Sequence, residues 1–161
     1  MKNLLSLSVL AFAIILFSGC PYSAEVAIDQ PSVKIDEKLL GTWESKSSSD
    51  YTYTVSKVDD KTYRFEKKTI SSGDIIYYKG FLSEIDGKRF MNIYEEGSVT
   101  NTYYFYKVEV SGSGAKTTLT PVTENITEMF TTSAALKDFF KKNMANSYFF
   151  DKDADEYIRV D

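Results

Sequence analysis

Short strand-like segments follow one another along most of this chain, and they limit the folds that it can adopt. In most of them apolar and aromatic residues alternate with polar ones, and turn residues such as Asp86-Gly87 separate one segment from the next. Seven such segments occupy residues 40–46, 51–58, 62–69, 75–85, 88–95, 101–110 and 116–121. Strands this regular and this closely connected predict a mainly β fold, an antiparallel meander closed as a barrel or folded as a β-sandwich.

The pattern changes to a helical period after these segments. Thr132 or Ser133 can cap a helix over residues 134–145, where apolar residues recur at spacings of three and four. This spacing predicts one amphipathic helix that lies on the sheet. We expect its inner face to hold Leu136, Phe139 or Phe140, and Met144, and its outer face to hold Lys137 and Lys141. Residues 146–150 and 156–160 predict a last hairpin.

The first predicted strand contains Leu40-Gly41-Thr42-Trp43, which resembles the Gly-x-Trp motif that opens lipocalins and related small barrels. The meander followed by a late helix is similar to the same family. This resemblance implies a lipocalin-like barrel in which Trp43 closes the bottom, often against an arginine. Because the final predicted strand is free to pair with the first, Arg159 is the leading partner of Trp43, and Arg64 is the alternative.

The first twenty residues predict where the protein is located. Lys2 precedes an uncharged apolar stretch over residues 4–17, and two small residues stand before Cys20, the only cysteine of the chain. This is the layout of a secretory signal, and the apolar stretch is shorter than the ~20 residues of a membrane span. It also resembles the signal of bacterial lipoproteins, in which the cysteine is lipidated and becomes the first residue of the mature protein.

These observations predict three parts of the chain. Pro21 and Pro31 stand among small and polar residues that show neither helical nor strand periodicity, which is typical of a flexible tether. We expect a signal peptide over residues 1–19, a tether lipidated at Cys20 over residues 20–36, and a barrel-like domain over residues 37–161. The predicted location is the cell envelope, on the outer membrane if the organism is Gram-negative.

Composition excludes several classes of function. The chain has no histidine, and Cys20 is assigned to lipid, so histidine-based triads, cysteine nucleophiles, thiolate or imidazole zinc sites and histidine-ligated haem are excluded. The net charge of −4 becomes −5 without the signal, because Lys2 is the only charged residue in it. This modest negative charge does not favour nucleic acid or anionic lipid as a partner. No cofactor is predicted.

Asp151, Asp153 and Asp155 alternate along the chain and could converge on a hard cation such as calcium. The pattern departs from an EF-hand loop, because Glu156 stands at the sixth position instead of glycine. A solvated acidic turn is the simpler interpretation, and no metal site is predicted.

Two further motifs favour turns over chemistry. The paired acids Asp59-Asp60 and Glu95-Glu96 are of the kind that a glycosidase uses, but adjacent residues on a strand point to opposite faces, and both pairs lie at predicted turns. The glycine-rich residues 111–114 are followed by neither the lysine nor the helix of a phosphate-binding loop. No catalytic residue is predicted.

Aromatic residues are the remaining signal for function. They occupy both faces of neighbouring strands, and in a barrel one face would line the interior and could bind an apolar or sugar-like ligand. We assign ligand binding to Tyr77, Tyr94, Tyr103 and Phe105, among the larger set that also contains Tyr78, Tyr104 and Tyr106. Ordinary strand composition is the alternative, because tyrosine is enriched in strands and small barrels are usually filled by their own side chains.

The sequence therefore predicts a lipid-anchored envelope protein that binds a small ligand and does not catalyse a reaction. Docking of another envelope protein through exposed aromatic residues is the alternative, and a carboxylate-based hydrolase is the third possibility. A cavity of at least a few hundred Å³ would favour ligand binding, whereas a filled barrel with an exposed aromatic patch would favour docking.

Overall fold

A computed structural model describes residues 21–100 and 102–161, which form a closed antiparallel barrel. Strands β2 to β9 make the eight-stranded barrel, and the short β1 adds to the edge of β7. The ring closes because β9 pairs with both β2 and β8, and β8 pairs with β7. The strands are β1 (Ser23–Ala24), β2 (Gly41–Ser45), β3 (Tyr51–Lys57), β4 (Tyr63–Thr69), β5 (Ile75–Ile85), β6 (Lys88–Glu95), β7 (Tyr103–Val110), β8 (Lys116–Pro121) and β9 (Asp155–Arg159). The predicted barrel is thus confirmed, and the sandwich is excluded.

The strand bounds follow the turn residues of the sequence. Strands β5, β6 and β8 begin and end at the predicted residues. Asp86 and Gly87 both have positive φ, 47° and 76°, as a tight hairpin turn of this type requires. The predicted last hairpin is wrong, because β9 pairs with β2 and β8, and within residues 146–150 Phe149 is buried in the core while Tyr148 is exposed.

Helix α1 (Ser133–Asn143) covers part of the barrel's outer surface, as the sequence predicts. The Thr132 hydroxyl caps it by accepting a hydrogen bond from the backbone of Ala135. Leu136 and Phe140 are fully buried against the barrel, while lysines of the helix face solvent. No helix in the described ranges has the length and apolar character needed to cross a membrane.

Residues 21–36 pack on the barrel, so the prediction of a flexible tether is wrong for this range. Tyr22 and Ile28 are buried between the barrel and α1, in an outer cluster of apolar side chains that also contains Phe105 and Phe140. The Tyr22 ring stacks on Phe105 at 5.9 Å between centroids. Ala24 and Val26 pack on the same cluster, so the apolar residues of this short stretch alternate along the chain. Cys20 and the predicted signal peptide lie outside the described residues.

A buried polar network holds this segment in place. Asn92, which is fully buried, accepts a hydrogen bond from the backbone of Ile28 at 2.9 Å and donates to the Ser83 hydroxyl at 2.9 Å. Ser83 in turn donates to Asp29, whose carboxylate also pairs with Lys137 of α1 at 2.6 Å. Barrel, N-terminal segment and helix are thereby linked through polar groups that are all satisfied, which is the condition for such a network to stabilise a core.

We expect Asn92→Ala to lower the free energy of unfolding by about 2 kcal/mol, because it leaves the buried Ile28 amide and the Ser83 hydroxyl with fewer partners. Hydrogen exchange at the Ile28 amide should accelerate in the folded protein. Glu124→Ala, at an exposed residue, is the control and should stay within about 0.5 kcal/mol. Unchanged exchange at Ile28 would show that Asn92 does not hold the segment.

Candidate ligand-binding cavity

The barrel encloses a cavity of about 510 Å³ that opens at one end. This volume lies within the ~300–1,000 Å³ of known ligand pockets. Its lining changes along the barrel axis because the strands present different residues at their two ends. Apolar side chains form the base, tyrosines form a belt above it, and charged side chains form the rim. The base contains Leu39, Trp43, Val55 and Met91, the belt contains Tyr53, Tyr78, Tyr104, Tyr106 and Tyr157, and the rim contains Lys67, Glu95 and Asp155.

Trp43 closes the base of the barrel against Arg159. The two residues lie directly opposite each other on β2 and β9, and the guanidinium sits 4.8 Å from the centroid of the indole ring. Trp43 is 3% exposed, and its Nε1 donates to the backbone oxygen of Leu39 at 3.0 Å. The predicted contact between Trp43 and Arg159 is confirmed. Arg64, the alternative, instead pairs with Glu96 on the outside of the barrel.

The glycine of the Gly-x-Trp motif is required by the close packing of Arg159 and Asp161 against β2. Gly41 has φ 122°, and a Cβ at this position would lie 2.7 Å from Asp161 Oδ1 and 2.8 Å from Arg159 Nη1. Any larger residue would therefore displace the arginine that stacks on Trp43. Local steric contacts thus explain why a glycine stands two residues before Trp43 in this chain.

Arg159 also fastens the loops around the base. Its Nη2 donates to the backbone oxygen of Lys38 at 2.7 Å, and its Nε donates to that of Gly114 at 3.1 Å. We expect Arg159→Lys to destabilise the protein slightly and Arg159→Ala by ~1–2 kcal/mol, since a lysine keeps the charge but not the planar donor geometry. Urea unfolding followed by Trp43 fluorescence measures both. Equal stability of the two variants and the wild type would contradict this role.

The tyrosine belt offers neutral polar groups inside an otherwise apolar space. Tyr53 and Tyr157 meet edge to face, with ring centroids 5.4 Å apart. Burial, with a further contribution from nearby Asp155, raises the pKa of Tyr53 to about 12, and the same causes raise the pKa of Tyr157. Burial also raises the pKa of Tyr106 and of Tyr78. These four phenols therefore stay protonated at neutral pH and can both donate and accept hydrogen bonds.

Thr117 carries an unsatisfied polar atom beside the cavity. The residue lines the cavity and is 5% exposed, and its Oγ1 is buried with no hydrogen-bond partner among the described residues. An unpaired buried hydroxyl costs ~1–3 kcal/mol. A polar atom of a ligand in the cavity could supply the missing partner.

Charged side chains surround the opening. The Lys67 ammonium lies 3.9 Å from the centroid of the Tyr51 ring, and Asp155 Oδ1 accepts a hydrogen bond from the Ser47 hydroxyl at 2.8 Å. Glu95 is exposed at the end of β6. Opposite charges at the mouth can hold the polar part of a bound molecule in water while its apolar part lies below.

The four residues that the sequence assigns to ligand binding lie on the outer face of the barrel. Tyr77 is 37% exposed and stacks under the guanidinium of Arg64, which lies 4.5 Å from its ring centroid. Tyr94 and Tyr103 contact each other edge to face at 5.3 Å. Phe105 is fully buried beneath α1 and the N-terminal segment.

The predicted choice of face is therefore wrong, and the residues next to it in the chain line the cavity. Tyr78, Tyr104 and Tyr106 each adjoin a residue of the predicted set and point inwards, because successive side chains on a strand face opposite sides. Tyr53 and Tyr157 also line the cavity, although neither belongs to the predicted set. The alternation of Tyr53 with threonines along β3 is the signal that could have identified the inner face.

The acidic motifs take part in local structure. Asp60 pairs with Lys57 at 2.7 Å, and Asp59 accepts a hydrogen bond from the backbone of Lys61 at 2.8 Å. Asp155 belongs to β9 and to the cavity rim. The backbone amide of Asp151 donates a hydrogen bond to the backbone oxygen of Pro121 at 3.0 Å. In the part of the chain that the structure describes, no three acidic, cysteine or histidine side chains are grouped to hold a metal ion.

No family model, no curated protein and no solved structure matches this chain.

Proposed function

We propose that the protein binds a small amphiphilic molecule inside its barrel and does not catalyse a reaction. The observation that carries the proposal is the polarity gradient along the cavity of about 510 Å³, from an apolar base through a tyrosine belt to a charged rim. A hydrocarbon body would be buried against Trp43, Val55 and Met91, with a gain of ~0.8 kcal/mol per buried CH₂. The apolar base favours such a body over a sugar, which needs hydrogen-bonding groups on all sides.

The polar end of the ligand would lie at the belt and rim. Neutral phenols and the unpaired Thr117 hydroxyl can each form a hydrogen bond to it, and these few polar groups would orient the molecule. Docking of a protein partner through exposed aromatic residues has less support, because Tyr103 and Phe105 on the outer face pack beneath the N-terminal segment and α1. A carboxylate-based hydrolase has less support, because the paired acids Asp59 and Asp60 form turn contacts with Lys61 and Lys57.

We also propose that the protein is held in the cell envelope by lipid on Cys20. The small residues before this cysteine and the apolar stretch preceding them support the proposal. Intact mass should show a mature chain that starts at Cys20 and carries acyl chains, and Cys20→Ser should leave an unlipidated precursor. A wild-type protein without acyl chains would contradict the anchor.

A matched pair of adjacent residues tests ligand binding. Residues 21–161 contain every element of the described fold, and this fragment can be titrated with a polyene fatty acid whose fluorescence rises in apolar surroundings. Tyr78→Ala removes a belt residue and should weaken binding at least about fivefold, equivalent to about 1 kcal/mol. Tyr77→Ala, on the outer face, should bind as the wild type does. A larger loss in Tyr77→Ala, or no saturable binding by the wild type, would contradict the proposal.

A further inference from the structure

The N-terminal segment is fixed to the barrel at the mouth of the cavity. Pro21 itself lines the cavity, and Ser23 and Ala24 pair with Tyr104 and Tyr103 at the end of β7. The Tyr22 amide donates to the backbone oxygen of Val122 at 2.8 Å, and the Tyr22 hydroxyl donates to that of Glu128 at 2.9 Å. The point where the described chain begins is therefore a fixed part of the rim.

A lipid anchor attached just before Pro21 would be joined directly to the mouth of the barrel. Consecutive Cα atoms are about 3.8 Å apart, so a lipid on the residue bonded to Pro21 is joined to the barrel at its mouth. The residues expected to form a spacer, 21–36, pack on the barrel and do not separate the two. A lipid anchor on Cys20 would hold the open end of the barrel close to the bilayer surface.

Exposed apolar residues stand at the same end of the barrel. Val99, in the loop after β6, is fully exposed; Ile70, in the loop after β4, is 56% exposed, and Ile75 at the start of β5 is 41% exposed. These ends coincide with the mouth because β4 and β6 both run from the base towards Lys67 and Glu95. Apolar side chains exposed around an opening are suited to the boundary between headgroups and acyl chains.

We propose that this rim, formed by Pro21, Ile70, Ile75 and Val99, contacts the lipid bilayer, and that the cavity takes up the hydrocarbon chain of a membrane lipid. The inference rests on the proposed function and on the anchor at Cys20. The chain would enter tail first and reach the apolar base at Trp43, while the head group stays at the charged rim and the membrane surface. The polarity gradient of the cavity agrees with this orientation.

The opposite end of the barrel provides a matched control. Its turns, including residues 111–114 between β7 and β8, lie at the base, where Gly112 accepts a hydrogen bond from Lys38. A Cβ added at Gly112 meets no atom within 4 Å, so a cysteine is tolerated there. Lipidation blocks the thiol of Cys20, so a cysteine introduced at Val99 or Gly112 is the only free thiol of the chain.

The experiment uses the full lipidated chain in vesicles of neutral phosphatidylcholine. Val99→Cys and Gly112→Cys are each labelled with an environment-sensitive fluorophore, and quenching by brominated phosphatidylcholine is measured. We expect blue-shifted emission and at least twofold stronger quenching for the label at position 99 than for the label at position 112. Equal quenching, or stronger quenching at position 112, would overturn the proposed orientation.

Two controls separate this inference from the proposals on which it rests. Labelling at two thiols per chain would show that Cys20 carries no lipid, and the membrane-facing rim would then be rejected together with the anchor. Binding of the polyene fatty acid by residues 21–161 is measured separately. Saturable binding there, combined with an unquenched label at position 99, would retain the ligand-binding proposal and reject the membrane-facing rim together with uptake from the bilayer.

Discussion

Replacement of Phe140 by alanine should lower the free energy of unfolding by about 3–5 kcal/mol. Phe140 is fully buried where helix, barrel and C-terminal loop meet. Its ring lies edge to face on those of Phe90 and Phe105, both at 5.4 Å between centroids, and on that of Phe149 at 5.1 Å. Removing it would leave a cavity that three rigid aromatic neighbours cannot close.

Urea unfolding measures this effect against a control in the same helix. Lys141 follows Phe140 in the sequence and is exposed, so Lys141→Ala should change stability by less than about 0.5 kcal/mol. Phe139→Ala should have an intermediate effect, because that residue is only partly buried against the core. A loss below about 1 kcal/mol in Phe140→Ala would contradict the packing of α1 described above.

Filling the barrel should abolish ligand binding while the barrel stays folded. Ile93 and Leu119 line the cavity and keep partly exposed surface towards it, so phenylalanine at both positions would occupy space that a ligand needs. We expect the double variant to bind the polyene fatty acid at least about 100-fold more weakly, a loss of about 2.7 kcal/mol.

The control for this variant conserves volume. Ile93→Leu with Leu119→Ile should retain binding, since such exchanges usually cost less than about 1.5 kcal/mol each in stability. Circular dichroism establishes that both double variants are folded. Wild-type affinity in a folded Ile93→Phe and Leu119→Phe variant would place the ligand outside the barrel.

The sequence predicted those parts of the fold that depend on local chemistry. Asp86-Gly87 fixed a hairpin because few dipeptides tolerate two positive φ angles, and the bounds of β5 and β6 followed. The pairing of Trp43 with Arg159 was predictable because the final strand had one free position beside the first. Spacing along the helix likewise predicted that Leu136 and Met144 are buried, and it left Phe139 and Phe140 as alternatives, of which Phe140 is the fully buried one.

The inner face of the barrel was not predictable in the same way. Along β7 the outward Phe105 and the inward Tyr106 are both aromatic, because α1 and the N-terminal segment cover the outer face there. When both faces of a strand are covered, alternation no longer distinguishes inside from outside. A choice that is wrong by one residue then exchanges the whole set, which is how Tyr77 was selected instead of Tyr78.

The packing of residues 21–36 was missed for a related reason. Tyr22 and Ile28 are separated by residues 23–27, which mix small, charged and apolar side chains, and the groove that receives them exists only after β6, β7 and α1 have come together. Similarly, Phe149 packs on Phe140 and its neighbours instead of forming a strand. Contacts of this kind depend on tertiary structure, which a local pattern does not encode.

Quenching of Trp43 tests the central claim, that the barrel interior binds the hydrocarbon chain of an amphiphile. Trp43 is the only tryptophan of the chain and lies at the cavity base, 3% exposed. Titration of residues 21–161 with a fatty acid brominated at mid-chain should quench its fluorescence saturably, with one ligand per protein, and the unbrominated acid should reverse the quenching by competition. Weak quenching that rises linearly, without saturation or competition, would contradict binding inside the barrel.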